Sequence, residues 1–268
     1  MDLALGGRAR QRKTVVAAFF VAAGLLLLGG IVALTAVDRE GPVLEGVTPE
    51  AALRGAPAKI DAKRLRASFT FGTGGALEVQ VQQVGVFDPV AQRADVTITG
   101  LGAGNVRAVA DGPELYVQGA RPFGVKPWGK LSAAEAGPLG SGVGQVSGGL
   151  IQSVVRILDA VPAPVDRGIE KVAGRRVRHI AGTVSTGTLN AISPLFAQLG
   201  AAGDATVDAY LDNDGVPRQV DITADASATK VRLGVSIVEI GAPEAVQLPP
   251  PAEVADVTLR DLATVLRA

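Results

Sequence analysis

Ala205-Thr206-Val207-Asp208-Ala209-Tyr210-Leu211, followed by Asp212-Asn213-Asp214-Gly215 and then Val216-Pro217-Arg218-Gln219-Val220-Asp221-Ile222-Thr223-Ala224, is the stretch that decides the fold class. Side chains alternate across a strand, so Ala205, Val207, Ala209 and Leu211 share one face of a first extended segment. Val220, Ile222 and Ala224 do the same in a second. The four residues between them are turn formers, the chemistry of a hairpin. Val231, Leu233, Val235 and Ile237 repeat the period, so three antiparallel strands close this part of the chain.

Reading outward, the same alternation begins at Leu65-Arg66-Ala67-Ser68-Phe69-Thr70-Phe71, which ends at the Gly72-Thr73-Gly74-Gly75 turn. Val79 and Val81 alternate with Glu78, Gln80 and Gln82, and Ala94, Val96 and Ile98 with Asp95, Thr97 and Thr99. Val106 to Ala110 and Glu114 to Gln118 flank an Asp111-Gly112-Pro113 turn. One apolar and one polar face per strand is the signature of an antiparallel meander. A strand pair at Gly168–Val172 and Arg176–Val184 is joined by Ala173-Gly174.

Two stretches keep a helical period instead. Leu150, Val154, Ile157, Leu158 and Val161 form a stripe that Ile151 and Val155 widen, ended by Pro162 and Pro164. Leu189, Ile192, Leu195, Phe196 and Leu199 form another, broken at Pro194, with Ser193 as cap for its second piece and Gly200 as its end. Leu131 to Gly149 is rich in Gly, Ser and Ala and reads as a loop. Strands, a helix, a strand pair, a helix and three strands make an α+β architecture, an antiparallel sheet with its helices gathered on one face.

The chain opens with Arg8, Arg10, Arg12 and Lys13, and no charge follows from Thr14 to Val37. At ~1.5 Å per residue that run exceeds the ~30 Å hydrocarbon core, and the basic flank favours a cytoplasmic N-terminus. A cleaved signal peptide is the competing reading, but its apolar region is usually only ~7–15 residues. Leu34-Thr35-Ala36 is moreover a poor small-x-small cleavage site. The expected organisation is a cytoplasmic tail over 1–13, a transmembrane anchor over 14–37 and a linker over 38–62 that holds a short helix around Pro49 to Leu53, with Thr48 as its cap and Pro49 in its first turn. An extracytoplasmic domain follows over 63–248, then a Pro linker and short amphipathic helix over 249–268. The expected location is the cell membrane, single-pass, with the C-terminal domain outside.

Lys plus Arg and Asp plus Glu both number 26, which gives no basic face for nucleic acid. Cys is absent, so packing alone must hold an exported fold. Most enzyme chemistries fail at the inventory. His179 is the one histidine, inside a strand, and no Gly-x-Ser-x-Gly elbow stands anywhere to pair with it. One His and no Cys leave no usual zinc site. Asp212-Asn213-Asp214-Gly215 resembles the start of a calcium loop, but Val216 stands at the fifth, ligand position, Pro217 at the sixth where the loop needs Gly, and no Glu follows at the twelfth, so a hairpin is expected. Gly140-Ser141-Gly142-Val143-Gly144 lacks the Lys-Ser/Thr of a phosphate cradle. Asp95, Glu114 and Asp221 fall on polar strand faces without a spacing that pairs them. No cofactor, metal or catalytic residue is expected. What remains is apolar, in a chain with only 4% aromatic residues. By composition alone an ordinary core of small side chains is favoured over a cavity for acyl chains.

Three segments shift that balance. Asp111-Gly112-Pro113-Glu114-Leu115-Tyr116-Val117 with Trp128 is one, and Val172 to Val184 with the Leu189–Leu199 helix is the second. The third is Ala205 to Leu211, its Asp-Gly hairpin and Pro217-Arg218-Gln219-Val220. In order and spacing, Phe69 to Leu248 resembles the actinobacterial lipoprotein family of LppX and LprG, relatives of the LolA lipoprotein carriers. The resemblance implies a half-barrel, a curved antiparallel sheet wrapped over helices around a cavity for lipids or lipidated glycans. It places Leu150, Val154, Ile157, Leu158, Leu189, Ile192, Leu195 and Phe196 on the helical wall. Val79, Val81, Val96, Ile98, Val207, Ala209, Leu233 and Val235 line the opposite wall. The family's acylated lipobox Cys has no counterpart here, which suits a tethered module better than a shuttling carrier. The expected function is lipid or glycolipid binding and transfer in the envelope, without catalysis. A regulatory domain with a filled core that contacts an envelope protein is the alternative.

Overall fold

The computed structural model describes residues 43–74, 79–100, 104–132, 149–193, 196, 201–226, 229–241 and 244–266. The Thr14–Val37 run and the Gly140–Gly144 stretch lie outside them. Among the described residues no helix is long and apolar enough to cross a membrane.

Among the described residues twelve strands form one open sheet. In chain order they are β1 (Leu65–Gly74), β2 (Val79–Asp88), β3 (Arg93–Thr99), β4 (Val106–Asp111), β5 (Glu114–Gln118), β6 (Trp128–Ser132), β7 (Val165–Val172), β8 (Arg175–Ser185), β9 (Ala201–Leu211), β10 (Pro217–Ala226), β11 (Thr229–Ile240) and β12 (Val254–Asp256). Their order in the sheet is β12-β6-β5-β4-β3-β2-β1-β11-β10-β9-β8-β7. All neighbours are antiparallel except β12, which runs parallel to β6. Two meanders, β1–β6 and β7–β11, are therefore joined through β1 and β11. Phe69 stands opposite Val235 and Phe71 opposite Leu233 across that seam.

The expected strands are present, with local corrections. β1 runs on to Gly74, past the turn expected at Gly72. Leu131 and Ser132 belong to β6 rather than to a loop. Ala173 (φ 48) and Gly174 (φ 80) make the expected tight turn between β7 and β8, both in the left-handed conformation such two-residue hairpins need. The C-terminal stretch adds strand β12 where only a linker and helix were expected.

Among the described residues five α-helices accompany the sheet: α1 (Pro49–Gly55), α2 (Pro57–Ile60), α3 (Leu150–Asp159), α4 (Thr186–Ile192) and α5 (Leu259–Leu266). The Thr48 hydroxyl accepts a hydrogen bond from the Ala51 amide, and Pro49 occupies the first turn, which fixes where α1 starts. α4 begins earlier than its apolar stripe suggested, because Ser185 accepts from the Thr188 amide. Ser193 ends that helix and its carbonyl accepts from the Phe196 amide. The expected second piece, with Pro194, Leu195, Leu199 and Gly200, lies outside the described residues.

The stretch expected to be a linker over 38–62 is, from Val43 onward, part of the packed unit. Leu53, Ala56 and Ile60 are buried in the main core, because α1 and α2 turn their apolar side chains onto α3. After β11 the chain crosses the outer face of the sheet. There Val246 joins Val86, Val109 and Trp128 in a small separate cluster, with Tyr116 and Val254 against it. Arg66 on β1 reaches Glu244 of this crossing at 3.2 Å. α5 returns to the main core through Leu262 and Val265. A side chain at Gly119 would meet Val265, so that glycine lets α5 settle close to the strand end.

Candidate functional site

The inner face of the sheet is continuous because the register keeps inward residues in rows. One row runs Ile180–Ala209–Val220–Val235–Phe69–Gln83–Ile98–Val106 across eight strands. The next contains Val207, Ile222, Leu233, Phe71 and Val81. A third contains Gly85, Val96, Ala108 and Val117. Gly85 is needed there, since a Cβ would collide with the Asp95 carbonyl and the Val96 backbone of β3.

Helix α3 faces this wall. Leu150, Ile151, Val154, Ile157 and Leu158 are buried, and the one polar residue on that side, Ser153, donates to the Gly149 carbonyl at 2.8 Å. Beyond its end, Val161 rests on β8 at Gly182, where any larger residue would strike the Val161 side chain. That contact fixes how far α3 stands from the sheet.

The expected wall residues come together. Val81, Val96, Ile98, Val207, Ala209, Leu233 and Val235 from the sheet are buried in one cluster with Leu150, Val154, Ile157, Leu158, Leu189 and Phe196 from the other wall. Ile192 is half-buried against it. Val79 pairs with Thr73, but its side chain and the whole of Leu195 lie outside the described residues.

Sequence reasoning missed part of this interior. Phe69 and Phe87 are fully buried on the inner face and meet edge to face with ring centroids 5.1 Å apart, so the interior is not built of small side chains alone. Gln83 was missed as well. It lies on the same inner face with 0% exposure, and neither its Oε1 nor its Nε2 has a hydrogen-bond partner. Its signal was the inward phase of β2, since Val81, Gln83, Gly85 and Phe87 are spaced by two.

The titratable groups stand elsewhere. His179 lies on the outer face of β8, stacked on Tyr210 with ring centroids 4.4 Å apart. Its Nδ1 lies 2.8 Å from Glu170 and its Nε2 2.8 Å from Asp208. Nearby Asp221 accepts from the Gln219 amide at 2.6 Å, yet burial, reinforced by the Asp208 charge, raises its pKa above the ordinary carboxylate range. Asp95 is bound by Arg107. Glu114 is held below its usual pKa by hydrogen bonds from Lys130 and the Tyr116 hydroxyl. Both oxygens of Asp212 are taken: Oδ1 accepts from the amides of Asp214 and Val216, and Oδ2 from Arg218 at 2.6 Å. The Asp212–Gly215 turn is thus a hairpin whose lead carboxylate is already engaged. Among the described residues no group of His, Cys, Asp and Glu could hold a metal ion.

No family model matches the sequence, and no curated protein does. Solved structures do match. The crystal structure of LprF from Mycobacterium bovis has a TM-score of 0.51 and 11% identity, covering 78% of this chain and 98% of that one. The crystal structure of the lipoprotein LppX from Mycobacterium tuberculosis has a TM-score of 0.51 and 15% identity, covering 74% of this chain and 98% of that one. The chain has the fold of these lipoproteins, as the resemblance read from its strand segments implied.

Proposed function

We propose that the chain is an extracytoplasmic lipid or glycolipid binding and transfer module, tethered by its N-terminal apolar run and acting in the cell envelope without catalysis. The observation that carries this reading is the continuous, largely apolar interior between the open sheet and α3, reached by eight adjacent strands and almost devoid of charge. An interior of that kind suits acyl chains, which need apolar walls and few polar groups. The spread of ionisable residues supports it, since carboxylates and cations pair with one another on the outer face. The fold shared with LprF and LppX, over nearly their whole length, adds a second line of support.

Native mass spectrometry of the detergent-extracted full chain tests the proposal. Co-purifying lipid, displaced by excess added lipid, is the expected result. A chain that carries none and takes up none is a scaffold with a filled core, and the function then lies in contact with an envelope protein.

A further inference from the structure

We propose that Gln83 is the polar anchor of the interior and selects ligands whose acyl chains are joined through a neutral carbonyl linkage, an ester or an amide. This deepens the lipid-binding reading above and rests on it.

Gln83 stands near the middle of β2, opposite Phe69 on one side and Ile98 on the other. Along its own strand the inward neighbours are Val81 and Gly85. Its backbone belongs to the sheet ladder, so only the carboxamide is in question. That group offers two N–H donors and a carbonyl acceptor. None of them meets a protein partner, although the residue is wholly buried. Burying an amide without partners is costly, so such a group calls for a physical account. A tightly packed apolar core would favour Leu or Met here, of similar size and without that cost.

The chemistry around Gln83 narrows what could satisfy it. Its immediate neighbours are hydrocarbon, so a charged headgroup would be left without a counter-ion and is excluded at this depth. A plain hydrocarbon would leave the amide as it is. A neutral carbonyl accepts from Nε2–H, and an adjoining amide N–H or hydroxyl donates to Oε1. The root of an acyl chain, where apolar carbon meets an ester or amide, presents this combination. Chains would then extend along the Val81, Val96 and Val235 rows, with the headgroup beyond the amide.

The test uses the full chain in detergent, incubated with equimolar dioleoylglycerol and its dioleyl ether analogue, which lacks the carbonyls. Native mass spectrometry reads the ratio bound. The parent should prefer the ester by about three- to tenfold, the range of one net hydrogen bond, and Gln83→Leu should take both equally. Ligand-free Gln83→Leu should melt at or above the parent, because an unpaired amide has been removed. If the parent binds both lipids without preference, lipid binding stands and the anchor falls. If it binds neither, both fall. A lowered melting temperature in ligand-free Gln83→Leu would show that the amide is already satisfied, and would overturn the anchor alone.

Discussion

Arg178 and Val47 are 131 residues apart in the chain, yet the Arg178 Nη1 donates to the Val47 carbonyl at 2.6 Å. The same nitrogen reaches the Leu44 carbonyl at 3.1 Å, while Nε and Nη2 both donate to Asp166. One buried guanidinium therefore ties the Leu44–Val47 turn to β7 and β8. Its planar fork satisfies carbonyls on one side and a carboxylate on the other, a geometry lysine cannot reproduce.

Removing this fork should cost stability. Arg178→Met strips the Val47 carbonyl of its guanidinium donor and leaves the Leu44 carbonyl only the Val47 amide and Asp166 only the Gly168 amide, and we expect a loss of about 1–3 kcal/mol in urea unfolding. Arg178→Lys should recover less than half of it. Parental stability in Arg178→Met would mean that the Leu44–Val47 turn does not depend on the fork.

Two aspartates should respond to pH in opposite directions. Asp166 is held below the ordinary carboxylate pKa by its hydrogen bond from Arg178 and by the Gly168 amide. Its contribution is present above that ordinary value and lost as pH falls through the depressed one. Asp221 is raised, chiefly by burial, so its ionised form disfavours folding above the raised pKa and the penalty vanishes in acid. Asp166→Asn should therefore lower, and Asp221→Asn raise, the melting temperature at pH near 7, and both differences should shrink toward pH ~3. Like signs at neutral pH would contradict this assignment.

His179→Ala should leave lipid occupancy within about threefold of the parent, well short of the ~10² or more that loss of a general acid–base costs. The imidazole sits on the outer face between Glu170 and Asp208, away from the apolar interior. Occupancy measured by native mass spectrometry decides the matter, and a hundredfold loss would place the histidine in the functional machinery.

Bulk added to either wall should displace lipid. Val154→Trp from α3 and Ala209→Phe from β9 point into the interior from opposite sides. In a filled core such insertions cost about 1–3 kcal/mol through strain. Where acyl chains occupy the space, the melting temperature should stay near parental and bound lipid should fall sharply. Strong destabilisation in a parent that carries no lipid is the contrary result.

The tether is tested by protease added to intact spheroplasts, which should digest everything from the Val43 region onward. A protected domain, or a mature N-terminus near Val37, would remove the anchor.

Much of the sheet was legible in the sequence because one face of each strand is buried and the other is wet, which writes a period of two into the residues. The exceptions have physical causes. β12 is three residues long, follows a proline run and owes its place to pairing with β6, so no local pattern announces it. The short helix at Pro49 was legible from its Thr48 cap and first-turn proline, but α2 and the packing of both helices were read as linker because the prolines and charges of this stretch mask the short apolar contacts of Leu53, Ala56 and Ile60. Gln83 was passed over for a different reason: it keeps the inward phase of β2, but a polar residue there interrupts the apolar rhythm and ends the pattern early. Arg178 shows the same effect, a charged residue on a buried face whose partners lie far away in sequence. The interior was thus read where it is apolar and missed where it is polar.

Because β1 pairs with β11, the centre of the sheet is assembled from strands separated by most of the domain's length. Arg66 and Glu239, bonded across that seam, are 173 residues apart. During synthesis β1 emerges early, and one of its edges stays unpaired until β11 has followed it. Pairings between such distant segments form slowly, and an open strand edge is prone to joining the wrong partner. The seam between β1 and β11 is therefore where folding should be slowest, and where a nascent chain would most need a chaperone to hold it.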